Sequence, residues 1–207
     1  LTEPERVRRI YDRFAPHYER RGRWFKERYI VPLRELVIPR ARGRVLELGI
    51  GNGETVPLYR PGQVDELVGV DVSGKMLAFA REKLSSRGIP FSLLQLPLEA
   101  VDFPRGSFDT VVSSLVMCGV DDQGEVFSRV RRWLRPGGEF LLIEHVRGRG
   151  AVSGALCDLL NPIQLRVAGC ELNRNTFAVL ARAGFEVEVL GESFFSIFRA
   201  AVARPPS

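Results

Sequence analysis

The stretch Val45-Leu46-Glu47-Leu48-Gly49-Ile50-Gly51-Asn52-Gly53 decides the fold. Its first residues read as a short apolar strand, and three glycines at every second position then turn the chain sharply. A strand, a glycine turn and a following helix make a nucleotide-type binding element, because backbone without Cβ atoms can approach a ligand closely at the carboxyl end of a strand. Spacing separates two kinds of ligand. A dinucleotide fold requires G-x-G-x-x-G, with a helix N-terminus facing pyrophosphate. Here the glycines run G-x-G-x-G, and position 54 is Glu, whose carboxylate would repel pyrophosphate. No G-x-x-x-x-G-K-[ST] phosphate loop occurs. Glu47, at the strand end, suits a cationic ligand such as an amino-acid moiety.

Outward from this stretch, strands and helices alternate. Val7, Ile10, Tyr11 and Phe14 predict an amphipathic helix over 4–14, broken at Pro16. A second helix is expected from Trp24 to Val37 with Pro32 as a kink. After the glycines a helix is expected over 54–59, then a strand over 66–70 and a helix from an N-capping Ser73 through Leu84. Strands follow over 90–94 and 108–113, and Asp121 or Asp122 caps a helix reaching Leu134. Pro136-Gly137-Gly138 turns into a strand over 139–146. A helix over 173–183 ends at Gly184, before strands over 185–190 and 194–202. These last two are joined by too few residues for a crossover and must pair antiparallel. The pattern predicts an α/β fold: a Rossmann-like, doubly wound, seven-stranded, mostly parallel sheet with one antiparallel strand near its C-terminal edge. Residues 1–43 are expected to form an N-terminal helical lid, and 44–207 the catalytic part of a single structural domain.

Composition narrows the function classes. With 207 residues, 45% hydrophobic and 27% charged, the chain fits one globular domain. No apolar stretch approaches membrane-spanning length. Cys118, Cys157 and Cys170 are odd in number and far apart, so a disulfide framework is not expected and a reducing cytoplasm fits. With only His17 and His145 besides, no metal site is expected. The net charge of +5 is unevenly spread: residues 1–44 hold 13 Lys and Arg against 6 Asp and Glu, a net of +7, and the remainder is slightly acidic. Basic residues mixed with Tyr11, Phe14, Tyr18, Trp24, Phe25 and Tyr29 suit peripheral contact of residues 1–44 with an anionic membrane. The alternative is a solvated helical segment whose aromatics pack on the domain. Arg129, Arg131, Arg132 and Arg135 read as the outer face and last turn of a helix, so a nucleic-acid partner is not expected.

Asp71 ends the second strand, 18 residues after Gly53, where a carboxylate can accept hydrogen bonds from two ribose hydroxyls. At this point the runs ELGIGNG, GVDVSGKML, SFDTVVSSLVMC and RRWLRPGGEFLLIEHV resemble successive motifs of class I S-adenosylmethionine-dependent methyltransferases, over residues 44–146. The resemblance implies S-adenosylmethionine as cofactor. It implies that Glu47, Gly49, Gly51 and Gly53, with Asn52 between them, line its methionine part. Asp71 would hold the ribose, Val72 and Met76 would flank the adenine, and Leu98 and Glu99 would border its polar edge. Ser113 and Leu115 would lie near the sulfonium. Pro97 stands where the family often has an acidic residue, so that contact to the adenine amine is either lost or supplied by Glu99.

The N-terminal YDRFAPHYE resembles the corresponding segment of ubiquinone/menaquinone-type and phospholipid N-methyltransferases, which implies that Tyr11 and Tyr18 cover the active site. EHV, NPIQLRVAGCELNR and the helix into AGF are similar to membrane-associated thiol S-methyltransferases. His145, after the fifth strand, is the best candidate for a general base, the alternative being a partly buried imidazole bonded to a neighbour. The expected function is methyl transfer to a small-molecule acceptor: a thiol, an amine or a quinone-like compound. Alternatives are a phospholipid-headgroup N-methyltransferase at the membrane surface and a non-catalytic cofactor-binding subunit. A cytoplasmic location is expected, peripheral to the membrane under the lipid reading.

Overall fold

Strand parity settles what lies above and below the sheet. In β1 (Gly43–Leu48), Val45 joins one apolar cluster while Leu46 and Leu48 join the other, because successive side chains of a strand point to opposite faces. The computed structural model describes residues 3–20, 22–148, 150–168 and 171–206; Cys170 lies outside the described residues. Six more strands follow: β2 (Val64–Asp71), β3 (Phe91–Gln95), β4 (Phe108–Ser114), β5 (Leu134–His145), β6 (Glu186–Ser193) and β7 (Phe198–Arg204). They form one sheet in the order β3-β2-β1-β4-β5-β7-β6. Only β7 runs against its neighbours, pairing antiparallel with both β5 and β6. The expected seven-stranded, mostly parallel architecture is therefore present, and the antiparallel strand is the last one, inserted between β5 and β6.

Helices cover both faces. α3 (Val31–Val37) and α4 (Gly74–Ser85) bury Leu33, Val37, Leu77, Ala80 and Leu84 in the cluster that holds Val45. α5 (Gln123–Trp133) and α7 (Thr176–Arg182) bury Val126, Phe127, Val130, Trp133 and Leu180 in the opposite one. Caps sit where short polar side chains replace the helix's missing acceptors. Ser73 accepts from the Met76 amide at 3.1 Å, Asp122 from Glu125 at 2.9 Å, and Asn175 from Ala178 at 3.4 Å.

Four sequence expectations are corrected. The helix over Trp24–Val37 is two helices, α2 (Arg23–Tyr29) and α3, joined at Ile30; Pro32 fits the first turn of α3, where its missing amide costs nothing. The segment after the glycines is a single 3-10 turn, Val56–Leu58, containing Pro57. Strand β5 continues back through Pro136-Gly137-Gly138, and its register against β4 jumps from Phe108↔Leu134 to Thr110↔Glu139. A further helix, α6 (Ala151–Ala168), stands where no element is expected, with Pro162 inside it.

The N-terminal section is not uniform. α1 (Glu3–Phe14) rests on α4, whereas α3 packs on β5, β6 and β7, and Val37, Ile38 and Ala41 are wholly buried. Residues 31–43 are thus part of the core layer.

Phe127 joins the layers: its ring is fully buried and stands 6.0 Å from that of Phe140 on β5. Phe127→Ala is expected to cost about 3–5 kcal/mol of unfolding free energy in urea titration. A loss below about 1 kcal/mol would mean that α5 is not fixed to the sheet through this ring.

Candidate functional site

The chain crosses from β1 to β2 and β3 on one side and to β4 on the other. The loops at the carboxyl ends therefore part between β1 and β4, the place where open α/β sheets bind ligands. A cleft lies there with about 900 Å³ of empty space, some of it open solvent. Its lining includes Gly49, Gly51, Asp71, Val72, Met76, Leu98, Glu99 and Leu115, eight of the twelve predicted cofactor residues. Tyr11 and Tyr18 also line it. Glu47, Asn52, Gly53, Ser113 and His145 do not.

The glycines divide into two kinds. All three after β1 have positive φ, 62° at Gly49, 56° at Gly51 and 73° at Gly53. A Cβ on Gly49 would meet Val116 Cγ2 at 2.6 Å, and one on Gly53 would meet Val56 Cγ2 at 3.0 Å and the Ala80 Cα at 3.2 Å. These two glycines let the turn nest against protein. A Cβ on Gly51 would meet nothing closer than the Gly49 carbonyl at 3.9 Å. Gly51 alone leaves its bare Cα facing the cleft, so a ligand can approach backbone there.

Two carboxylates shape this corner. Asp71 Oδ2 accepts the Gly51 amide at 2.9 Å, and Oδ1 accepts the Ser73 amide at 2.8 Å. Burial raises its pKa, and those two amides oppose the rise. Each oxygen keeps a further acceptor site, which is what two adjacent ribose hydroxyls would use. Glu47 is different. It shares the face of β1 with Val45, so its side chain points into a core layer and not into the cleft. There it accepts Thr55 Oγ1 at 2.7 Å and Tyr59 Oη at 2.9 Å. Burial pushes this carboxyl up to about 7, against the pull of those hydroxyls.

The residues that predict a dinucleotide-excluding turn also hold the N-terminal section. Glu54 pairs with Lys26 and, at 2.6 Å, with Arg34, and together these cations keep its pKa lowered against burial. Arg34 is itself buried and donates to Ser114 at 3.0 Å. Further out, Ser73 donates to Asp12 of α1 at 2.5 Å, and Lys83 pairs with Glu19 at 2.6 Å. Asn52 donates to Glu19 at 3.4 Å. These contacts hold Tyr11 and Tyr18 over the cleft with ring centroids 6.3 Å apart. Burial, with the Glu54 carboxylate nearby, pushes the Tyr18 phenol up to about 12.

His145 is not in the cleft. It ends β5 on the same face as Leu141 and Ile143, is buried, and lies 5.5 Å from the Phe198 ring. Burial pulls its pKa down to about 4, and Nδ1 has no hydrogen-bond partner among the described residues. Ser113 is likewise buried and donates to Glu144 at 2.6 Å; its neighbour Ser114 lines the cleft instead, by strand alternation. The sequence does not point to Ser114, Val7, Leu96, Val116 or Val120, all of which line the cleft. One further signal belongs to backbone alone: Leu115 has φ 61°, a left-handed conformation that costs a non-glycine residue about 1–2 kcal/mol.

Comparison with known proteins places a family model described as a methyltransferase domain on residues 46–142. The phosphatidylethanolamine N-methyltransferase of Cereibacter sphaeroides is 38% identical over 127 residues, 58% of this chain and 62% of that protein. The thiol S-methyltransferase TMT1A of Homo sapiens is 29% identical over 178 residues, 84% of this chain and 72% of that protein. Among solved structures, an S-adenosylmethionine dependent methyltransferase from Mesorhizobium loti shares the fold, with a TM-score of 0.65 at 23% identity, covering 84% of this chain and 96% of that one. The chain spans less than two thirds of the Cereibacter protein's length.

Glu47 makes stability depend on pH in a stated direction. Its ordinary value is 4.5 and its folded value about 7, so between these the folded state binds more protons than the unfolded one. Stability is then intact below 4.5 and falls as pH rises through about 7. The decline from this group is on the order of 3 kcal/mol. Urea titrations from pH 4.5 to 8 should show it in the wild type and not in Glu47→Gln. Parallel curves for the two proteins would place the carboxyl at its ordinary value.

Proposed function

We propose that the chain is a class I S-adenosylmethionine-dependent methyltransferase that moves the sulfonium methyl group onto a small acceptor held beneath Tyr11 and Tyr18. The observation that carries this reading is the cleft itself. An open Cα at Gly51, a two-oxygen acceptor at Asp71 and apolar walls from Val72, Met76 and Leu98 converge on one space. That set fits the cofactor: a ribose for Asp71, a flat adenine between apolar side chains, and a methionine chain along bare backbone. S-adenosylmethionine, when bound, supplies an electrophilic methyl group.

The protein's own residues then have three tasks. They hold the acceptor atom in line with the methyl group, exclude water, and leave the acceptor with a free electron pair. Val7, Leu96, Leu115, Val116 and Val120 make the remaining walls apolar, which favours an acceptor with an apolar body. Tyr18, with its pKa near 12, stays a neutral phenol over the working range and orients the nucleophile by hydrogen bonding instead of removing its proton. His145 does not line the cleft, and burial keeps its imidazole uncharged near neutral pH. On this reading the rate enhancement comes from positioning and desolvation, with no imidazole base at the acceptor. A neutral amine, or a thiol or quinone-like phenol whose proton passes to solvent before the cleft closes, meets these requirements. A phospholipid headgroup is the second reading, favoured by the 38% identity to a phosphatidylethanolamine N-methyltransferase.

The movable lid, on this reading, is α1 with the 3-10 turn Ala15–His17, not the whole of residues 1–43. Its ties to the body are few: the Asp12–Ser73 hydrogen bond, buried Ala15 and, just beyond the turn, the Glu19–Lys83 pair. α3 is core and stays.

Two measurements test the reading. In calorimetry, S-adenosylhomocysteine should bind and NADH should not. Gly51→Ala should weaken that binding by roughly tenfold or more, while the left-handed alanine lowers stability by only about 1–2 kcal/mol. Normal binding by a folded Gly51→Ala variant, or binding of NADH alone, would overturn it. Deletion of residues 1–22 should leave S-adenosylhomocysteine binding detectable and reduce turnover with an acceptor panel by roughly a hundredfold. Unchanged turnover would remove the lid from the mechanism.

A further inference from the structure

Helix α6 turns its apolar side outward. Val152, Leu156, Leu159, Leu160 and Ile163 follow the spacing i, i+4, i+7, i+8, i+11, which puts them on one face of a helix. All five are exposed, Val152 to 84%, Leu159 to 73% and Ile163 to 62%. The side facing the protein carries small or polar residues instead: Gly154, Cys157 and Asn161. Cys157 joins the core cluster that contains Ile197 and Phe198, and the Asn161 side-chain carbonyl accepts the Leu172 amide at 2.7 Å. A surface helix ordinarily does the reverse. A continuous exposed aliphatic stripe marks an interaction surface.

Charge selects the occupant. The one carboxylate of α6, Asp158, is paired with Arg147 at 2.9 Å, which leaves Arg166, exposed beside the stripe, as the helix's net charge. The sequence before the helix reads Arg147-Gly148-Arg149-Gly150, and residues 1–44 carry a net +7. A chain of aromatic rings borders the turn between β6 and β7, which shares the cluster of Cys157 with Phe198. Trp24, 72% exposed, meets Tyr29, which meets Phe194, which meets the exposed Phe195. Phe194 in turn meets Phe198 on β7, beside the end of β5 from which the chain enters α6. An aliphatic ridge with cationic flanks and aromatic margins matches the interface of an anionic bilayer. A second copy of this chain would bring like charge to like charge.

We propose that α6 is a membrane-docking helix that lies in the surface of an anionic lipid bilayer, with its five aliphatic side chains at the acyl boundary and the arginines at the headgroups. No helix among the described residues is long and apolar enough to cross a membrane, so α6 lies along the surface. Docking would also set the cleft against the lipid. The Glu171 amide donates to the Cys118 carbonyl at 3.0 Å and Arg174 donates to the Val120 carbonyl, and both Cys118 and Val120 line the cleft. The acceptor would then be an amphiphile drawn from the bilayer. That last step rests on the methyltransferase reading; the docking itself does not.

Flotation with phosphatidylcholine vesicles, with and without phosphatidylglycerol, tests the proposal. The wild-type protein should float with the anionic vesicles, less so with phosphatidylcholine alone or at high salt. The double variant Leu159→Ser/Ile163→Ser should lose roughly tenfold or more of that affinity. Its circular dichroism and its S-adenosylhomocysteine binding should be unchanged. Failure of the wild type to float, or equal flotation of the variant, overturns the proposal. So does a wild-type dimer that the variant dissolves in sedimentation velocity while neither protein floats, which would make the stripe a self-association face. Absence of S-adenosylhomocysteine binding in a wild type that floats would strike the functional reading and leave the docking standing.

Discussion

The Asp71 carboxylate ties three pieces of backbone together at the mouth of the cleft. It ends β2, receives the amide of Gly51 on one oxygen and the amide of Ser73 on the other. Ser73 passes the connection on, capping α4 through the Met76 amide and donating to Asp12 of α1. Strand, glycine turn and helix start thus share one buried acceptor, and the N-terminal helix joins them through the Ser73 hydroxyl. Charge-assisted bonds of this kind each contribute about 1.5–3 kcal/mol, and leaving such amides unmet in a buried corner costs a similar amount. A residue expected to serve a ligand is therefore first a structural clamp, and the ligand would use the acceptor capacity that remains.

Glu54 performs the matching role on the other side of the glycine turn. It carries both Lys26 and Arg34, and Arg34 reaches on to Ser114 after β4. Removing Glu54 would leave the buried Arg34 without its carboxylate, an expensive outcome, so the set holds together. The consequence is a graded N-terminal section. α3 is locked by apolar burial and by Arg34, α2 is tied by Lys26 and the Phe25 ring among Tyr29, Phe194 and Phe198, and α1 rests on polar contacts. Freedom to move increases toward the start of the chain, where Tyr11 is held over the cleft.

The cleft and α6 are coupled by position. The loop after β4 supplies the strained Leu115 and the carbonyls of Cys118 and Val120, and the chain leaving α6 bonds to those same carbonyls. A shift of α6 along a surface would be felt at the cleft wall through backbone contacts, without any rearrangement of the sheet.

The glycine spacing, the strand–helix alternation and the acidic end of β2 were legible in the sequence because each is a local property. Positive φ at three glycines, capping by Ser73 and Asp122, and the antiparallel return after Phe185 all follow from neighbouring residues and chain length. Tertiary structure alone decided which way key side chains point. Glu47 and His145 lie on strands at the correct edge, yet strand parity turns both into a core layer, and parity acquires meaning only when it is known what covers each face. The same holds for Ser113 against Ser114. That β7 enters between β5 and β6 depends on contacts between residues more than fifty apart along the chain. The outward apolar stripe of α6 was invisible for the same reason: its periodicity resembles any buried helix, and only the packing of Gly154, Cys157 and Asn161 against the protein reveals that the stripe is the face left over.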